Sequence, residues 1–223
     1  MKKTMLTIIA FLALTGVTYA GGIGIGATGS FAKVAADGKE TTGIGASGLG
    51  AANTNSKSVD EVTFIGSVFV DFETDGGFVL GFSHVPGSAD VSSKTHQRIE
   101  TAQGISGTDA AGAVTRTATA EVENFNTLYL EMPLGMFYAK AGWSQVDVIT
   151  KENAVTSSGT YGNKTLDGYT LGAGINGSMG NFFTKTSVEY TDFDTLSLSS
   201  STNNSISADL DLLEFKFGVG KRF

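Results

Sequence analysis

From Glu214 to Phe223 apolar and polar positions alternate. Phe215, Phe217, Val219 and Phe223 share one parity, and Glu214, Lys216, Gly218 and Gly220 the other. Alternate residues of a strand point to opposite faces, so one face is aromatic and the other charged or glycine. A soluble sheet would bury the apolar face, whereas a membrane barrel turns it to lipid. The same rhythm predicts strands over Gly22–Ala35, Val59–Thr74, Phe78–Ala89, Ala118–Pro133, Phe137–Thr150, Lys164–Met179 and Phe182–Leu196, with the last ending at Phe223. Tight turns are expected at Asp75–Gly77, Pro133–Met136 and Gly180–Asn181, and a bulge at Pro86–Gly87. Polar stretches without a sustained period, 36–58, 90–117, 151–163 and 197–206, read as loops. Long and short connections therefore alternate, which is the rhythm of an antiparallel barrel with long loops at one end and short turns at the other. Leu130, Ala141, Leu171 and Phe215 are expected near mid-membrane.

The first twenty residues favour the membrane reading. Lys2 and Lys3 precede an apolar run, Met5–Thr15, and Thr18-Tyr19-Ala20 offers small residues for cleavage. This is the three-part pattern of an export signal, and the run is too short for a spanning helix. Residues 1–20 are expected to be removed and 21–223 to form one barrel domain. Loss of the two lysines takes the formal charge from −7 to −9. So acidic a chain, without basic clusters, argues against nucleic acid. Cysteine is absent, which excludes disulfides, thiol nucleophiles and thiolate metal sites. Thirty glycines against two prolines suit intact ladders around a crowded interior.

The leader, the hairpin Met132–Gly142 and the terminal stretch Phe215–Phe223 together resemble the small outer-membrane β-barrels of Gram-negative bacteria, the outer-membrane-protein-A-like and opacity-protein-like barrels. The resemblance implies an all-β fold, a closed antiparallel up-and-down transmembrane barrel of eight strands, placed in the bacterial outer membrane after export. It implies outer-membrane lipid and lipopolysaccharide as surroundings. It also implies recognition by the barrel-assembly machinery, with Phe223 as the assembly signal. No domain follows the last strand, so a peptidoglycan tether is not expected.

Strand parity puts Glu131, Lys140, Lys185, Glu189, Glu214 and Lys216 on the inner face, with Asp71 and Glu73 near the turn that ends the second strand. Eight strands enclose a space that side chains fill, and buried charges there must pair. A four-residue turn at Pro133–Met136 predicts Tyr129 opposite Lys140 and Glu131 opposite Tyr138, leaving Glu131 and Lys140 as diagonal partners. At the far end, a hairpin register pairs Asp192 with Asp211 and Asp194 with Asp209, all outward. Facing carboxylates repel, so either the register shifts or a Ca²⁺ or Mg²⁺ ion bridges them; a solvated acidic rim is the simpler arrangement.

Other motifs carry no chemistry. Gly43–Gly48 spells GxGxxG, but in a polar loop with no following helix. His84 and His96 lack the His-x-Ser pattern of barrel lipid A deacylases, and strand neighbours Ser83 and His84 face opposite ways. No enzyme activity and no cofactor is expected. The leading reading is a monomeric, structural outer-membrane barrel with four extracellular loops and a side-chain-plugged lumen. The alternatives are a narrow porin-like pore for small solutes or ions, and a loop-mediated adhesin or phage receptor. Loops 36–58 and 90–117 lack the aromatic residues that dominate binding surfaces.

Overall fold

The computed structural model describes residues 21–42, 53–90, 96–100, 114–152, 161–200 and 205–223. The leader 1–20 and the Gly43–Gly48 motif lie outside these residues. Eight main strands form the ring: β1 Ile23–Thr42, β2 Asn53–Glu73, β3 Val79–His84, β4 Val114–Leu134, β5 Phe137–Glu152, β6 Lys164–Met179, β7 Phe182–Phe193 and β8 Ser205–Arg222. Each pairs antiparallel with the next, and β1 closes on β8 from Gly24 opposite Arg222 to Thr41 opposite Ser205. Short segments prolong the wall. Ser88–Asp90 and His96–Glu100 run along β4, and Leu196–Ser199 along β8.

Two predicted loops contain strand. β1 and β2 stay paired from Ile23 opposite Phe72 up to Thr42 opposite Asn53, so most of 36–58 is ladder. β4 begins at Val114 and pairs His96–Glu100, which shortens the 90–117 loop. These extensions are polar on both faces. Above the membrane water wets both sides of a sheet, so no apolar alternation is needed and the period that marks a half-buried strand disappears.

The turn at 133–136 is also tighter than expected. Leu134 pairs with Phe137, leaving only Gly135 and Met136 in the turn. Gly135 takes a φ of 72°, which such hairpin turns require. Pro133 is tolerated inside β4 because the β3 ladder has already ended at Val79 opposite Glu131. At Pro86–Gly87 there is a break in β3 rather than a bulge. The register shift lies across from it on β4, between Glu123 and Asn126, where Asn124 has a φ of 53°. Asparagine is among the residues that tolerate this region, and its Nδ2 donates to Asp147 Oδ2 at 2.9 Å.

The outer face is an apolar belt. Phe31, Phe64 and Tyr169 are 66%, 66% and 71% exposed, and Leu171, Phe215, Phe217 and Val219 stand out beside them. A continuous aromatic girdle of this kind would not persist in water. With the ring closed antiparallel from β1 round to β8, it is the lipid face of a transmembrane barrel.

Inside, the barrel is layered. A charged layer lies toward the tight turns. Above it Thr127, Ser144, Thr170 and Thr191 form a chain of buried hydroxyls, bonded in sequence at 2.9, 2.7 and 2.7 Å. Higher still is an apolar layer: Ala32 on β1, Val146 and Val148 on β5, Leu166 on β6, Phe193 on β7 and Leu212 on β8. The wall also loses one ladder part-way up among the described residues. β2 pairs with β3 only up to Val68 opposite His84, although β2 itself continues to Asn53. Beyond that point β3 turns away, and Val85 N–H donates to Phe125 O on β4.

Candidate functional site

All six inward charges read from the sequence come together in one buried layer, joined by Asp71. Lys140 Nζ donates to both oxygens of Glu189, at 2.9 and 3.0 Å. Lys216 bridges Glu189 at 3.0 Å and Glu214 at 2.7 Å. Lys185 bridges Asp71 at 2.5 Å and Glu131 at 2.9 Å. Hydroxyls add donors: Ser30 Oγ donates to Glu214 at 2.8 Å and Ser187 Oγ to Glu189 at 2.9 Å, while Asp71 Oδ1 has no hydrogen-bond partner. Glu73 lies apart, paired with Arg222 nearer the turn end.

The partners differ from those expected. The two-residue turn moves the β4–β5 register by two, so Glu131 stands directly opposite Lys140 and Tyr129 opposite Gly142. Yet Lys140 reaches the other way. It lies level with Gly172 on β6, which in turn lies level with Glu189 on β7. Gly172 has no side chain, so the ammonium crosses above it to Glu189. Glu189 also stands opposite Glu214, a repulsive pair that Lys216, bonded to both, neutralises. Glu131 is left to Lys185 on β7, three strands around the ring.

Aromatic rings pack between the charges. Lys140 Nζ sits 4.0 Å from the Tyr129 ring centre, and Lys185 Nζ lies 5.5 to 5.8 Å from those of Phe69, Phe183 and Tyr129. Such faces attract ammonium groups. Tyr129 lies across Gly81, where any Cβ would collide with its ring. A cavity of about 30 Å³ lies among them, lined in part by Ser67, Tyr129, Lys140, Lys185 and Glu189. That is room for roughly two waters. The rings and the hydroxyl chain escaped the sequence reading, although parity already placed Thr127, Ser144, Thr170 and Thr191 on the inner face.

The aspartates do not converge. Asp192 remains opposite Asp211. Asp194 and Asp209 do not pair, because the register shifts by one before Leu196 meets Ala208. Two of the four carboxylates have a local donor instead: Tyr190 Oη donates to Asp211 at 2.7 Å and Thr195 Oγ1 to Asp209 at 2.6 Å. Among the described residues no group of three or more such side chains is arranged to hold a metal ion. His84 Nδ1 lies 2.8 Å from Asn126 Oδ1 on β4. Phe223 N–H donates to Ile23 O at 3.0 Å, at the β1–β8 seam, with its ring 72% exposed.

A closed eight-stranded ring, an outward apolar belt and an ionised interior define a small β-barrel of the bacterial outer-membrane class. No family model and no curated protein matches the sequence. Solved structures do match in fold. The outer membrane protein OprG from Pseudomonas aeruginosa is 15% identical, with a TM-score of 0.51 over 92% of this chain and 97% of that one. The outer membrane protein AlkL is 17% identical, with a TM-score of 0.46 and 94% of each chain covered. Ail of Yersinia pestis is 13% identical, with a TM-score of 0.44 over 91% of this chain and 97% of its own. The chain thus has the fold of the small outer-membrane β-barrels.

Proposed function

We propose that this protein is a structural, monomeric barrel of the outer membrane whose lumen is plugged by its own side chains and does not conduct. The observation that carries the reading is the ionic layer, in which three lysines and four carboxylates cross-bridge the interior around a cavity of about 30 Å³. The continuous β1–β8 seam supports a monomer, because no edge there awaits a second copy. The strand pattern supports four extracellular loops, and Phe223 at the closing seam supports a role for the terminal strand in recognition by the assembly machinery. Outer-membrane lipid and lipopolysaccharide are then its immediate partners. The test is planar-bilayer recording of the refolded protein: wild type should show no steady current. A large stable conductance would establish the porin-like alternative.

One observation favours a second reading. Above Val68 and His84 the described wall has no β2–β3 ladder, and apolar side chains flank the place, Ile65 on β2 and Phe125 on β4. An apolar solute entering from the loop end could leave sideways there without meeting the charged layer. A reducible thiol crosslinker joining cysteines placed at Ile65 and Phe125 should then slow uptake of an apolar dye into proteoliposomes, and reduction should restore it. Unchanged uptake would remove this reading.

A further inference from the structure

The ionic layer is only one of two layers that cross the lumen. On β6 the inward face passes from Thr170 in the hydroxyl chain to Leu166, and on β5 from Ser144 to Val146 and Val148. Leu166 is 1% exposed and Val146 3%, and Phe193 and Leu212 are buried beside them. These side chains come from neighbouring strands β5, β6, β7 and β8, and Ala32 on β1 continues the layer past the closing seam. The layer therefore spans much of the cross-section.

We infer that this apolar layer is a second, independent barrier to ions, in series with the ionic layer beneath it; the inference rests on the closed-lumen reading. The physics of the two layers differs. The charged layer blocks by filling space, and its carboxylates and ammoniums could replace part of an ion's hydration if the packing loosened. The apolar layer offers no such replacement. An ion crossing it must shed water without compensation, which is how hydrophobic constrictions close channels. It also keeps water from the loop side off the ion pairs, where a drier, lower-dielectric setting strengthens them. Opening the charged layer alone therefore leaves the barrel silent.

Conductance of the refolded full chain in planar bilayers tests this with three variants beside wild type. The first, Asp71→Ala with Glu131→Ala and Lys185→Ala, empties part of the charged layer while the Lys140–Glu189–Lys216–Glu214 chain stays paired. The second, Leu166→Ser with Phe193→Ser, makes the apolar layer polar and smaller. The third combines them. The first and second should stay at the wild-type level. The combination should carry about tenfold more current or above, the change that accompanies a barrier lowered by about 1.4 kcal/mol. A current from the first variant alone overturns the inference, and so does a silent combination that still shows the heat-dependent gel shift of a folded barrel. Should Leu166→Ser or Phe193→Ser prevent folding, Val146→Thr with Val148→Thr supplies hydroxyls of nearly the same shape in the same layer. Current through wild type itself would defeat the closed-lumen reading instead, and is distinguishable from both outcomes.

Discussion

Replacing Lys185 with methionine should lower stability by about 3–5 kcal/mol, the cost of stranding a buried charge by removing its partner. Lys185 bridges Asp71 and Glu131, at 2.5 and 2.9 Å, and is itself only 8% exposed. Its loss leaves two carboxylates in a site lined by Phe69, Phe183 and Tyr129, with no cation bonded to either. The same change in an Asp71→Asn, Glu131→Gln background should be far milder, since no charge is then left alone and the residues are coupled. Urea unfolding of the lipid-inserted barrel measures both. Additive losses would mean that the ion pairs are not energetically linked. Glu131→Ala, in contrast, acts on Lys185 and not on Lys140, which keeps both of its bonds to Glu189.

Phe215→Arg should destabilise the barrel by about 2–4 kcal/mol, as expected of arginine on the lipid face near the bilayer centre. Phe215 lies between Phe31 on β1 and Val188 on β7, both outward and more than half exposed, so the site is surrounded by lipid-facing surface. Ser207→Arg provides the control. Ser207 has the same parity on the same strand, but stands high on β8 opposite Lys39, where the cost should fall to about 0–1 kcal/mol. Unfolding in lipid vesicles compares the two. Equal costs would show that Phe215 does not face lipid.

Much of this was legible in the chain. The period of two is a property of the strand itself, so parity assigned Phe215, Leu171 and Phe64 outward and Glu131, Lys140 and Glu189 inward without knowledge of any neighbour. Tight turns were readable because Gly135 and Gly180 supply the positive φ that such turns demand. Where water wets both faces the period vanishes, and the upper ends of β1 and β2 read as loop. The same loss hid the register shift after Phe193, whose cause is a break at Asp194 and Thr195 and not any change in hydrophobic pattern.

The partners within the lumen were beyond reach for a different reason. A register error of two at Gly135–Met136 preserves parity, so every face assignment survived while the cross-strand neighbours changed. Even the correct register does not name the ion pairs. Lys140 passes its direct neighbour Glu131 and reaches Glu189 across Gly172, and Lys185 joins Asp71 to Glu131 from across the barrel. Side-chain reach across a closed lumen depends on ring curvature, strand tilt and the gaps left by glycine, none of which is a local property of the chain. The sequence by itself determined the topology and the two faces, because alternation and turn chemistry are local. Only the tertiary structure decided which charge meets which, and that an apolar layer lies above them, because both depend on residues brought together by closure of β1 onto β8.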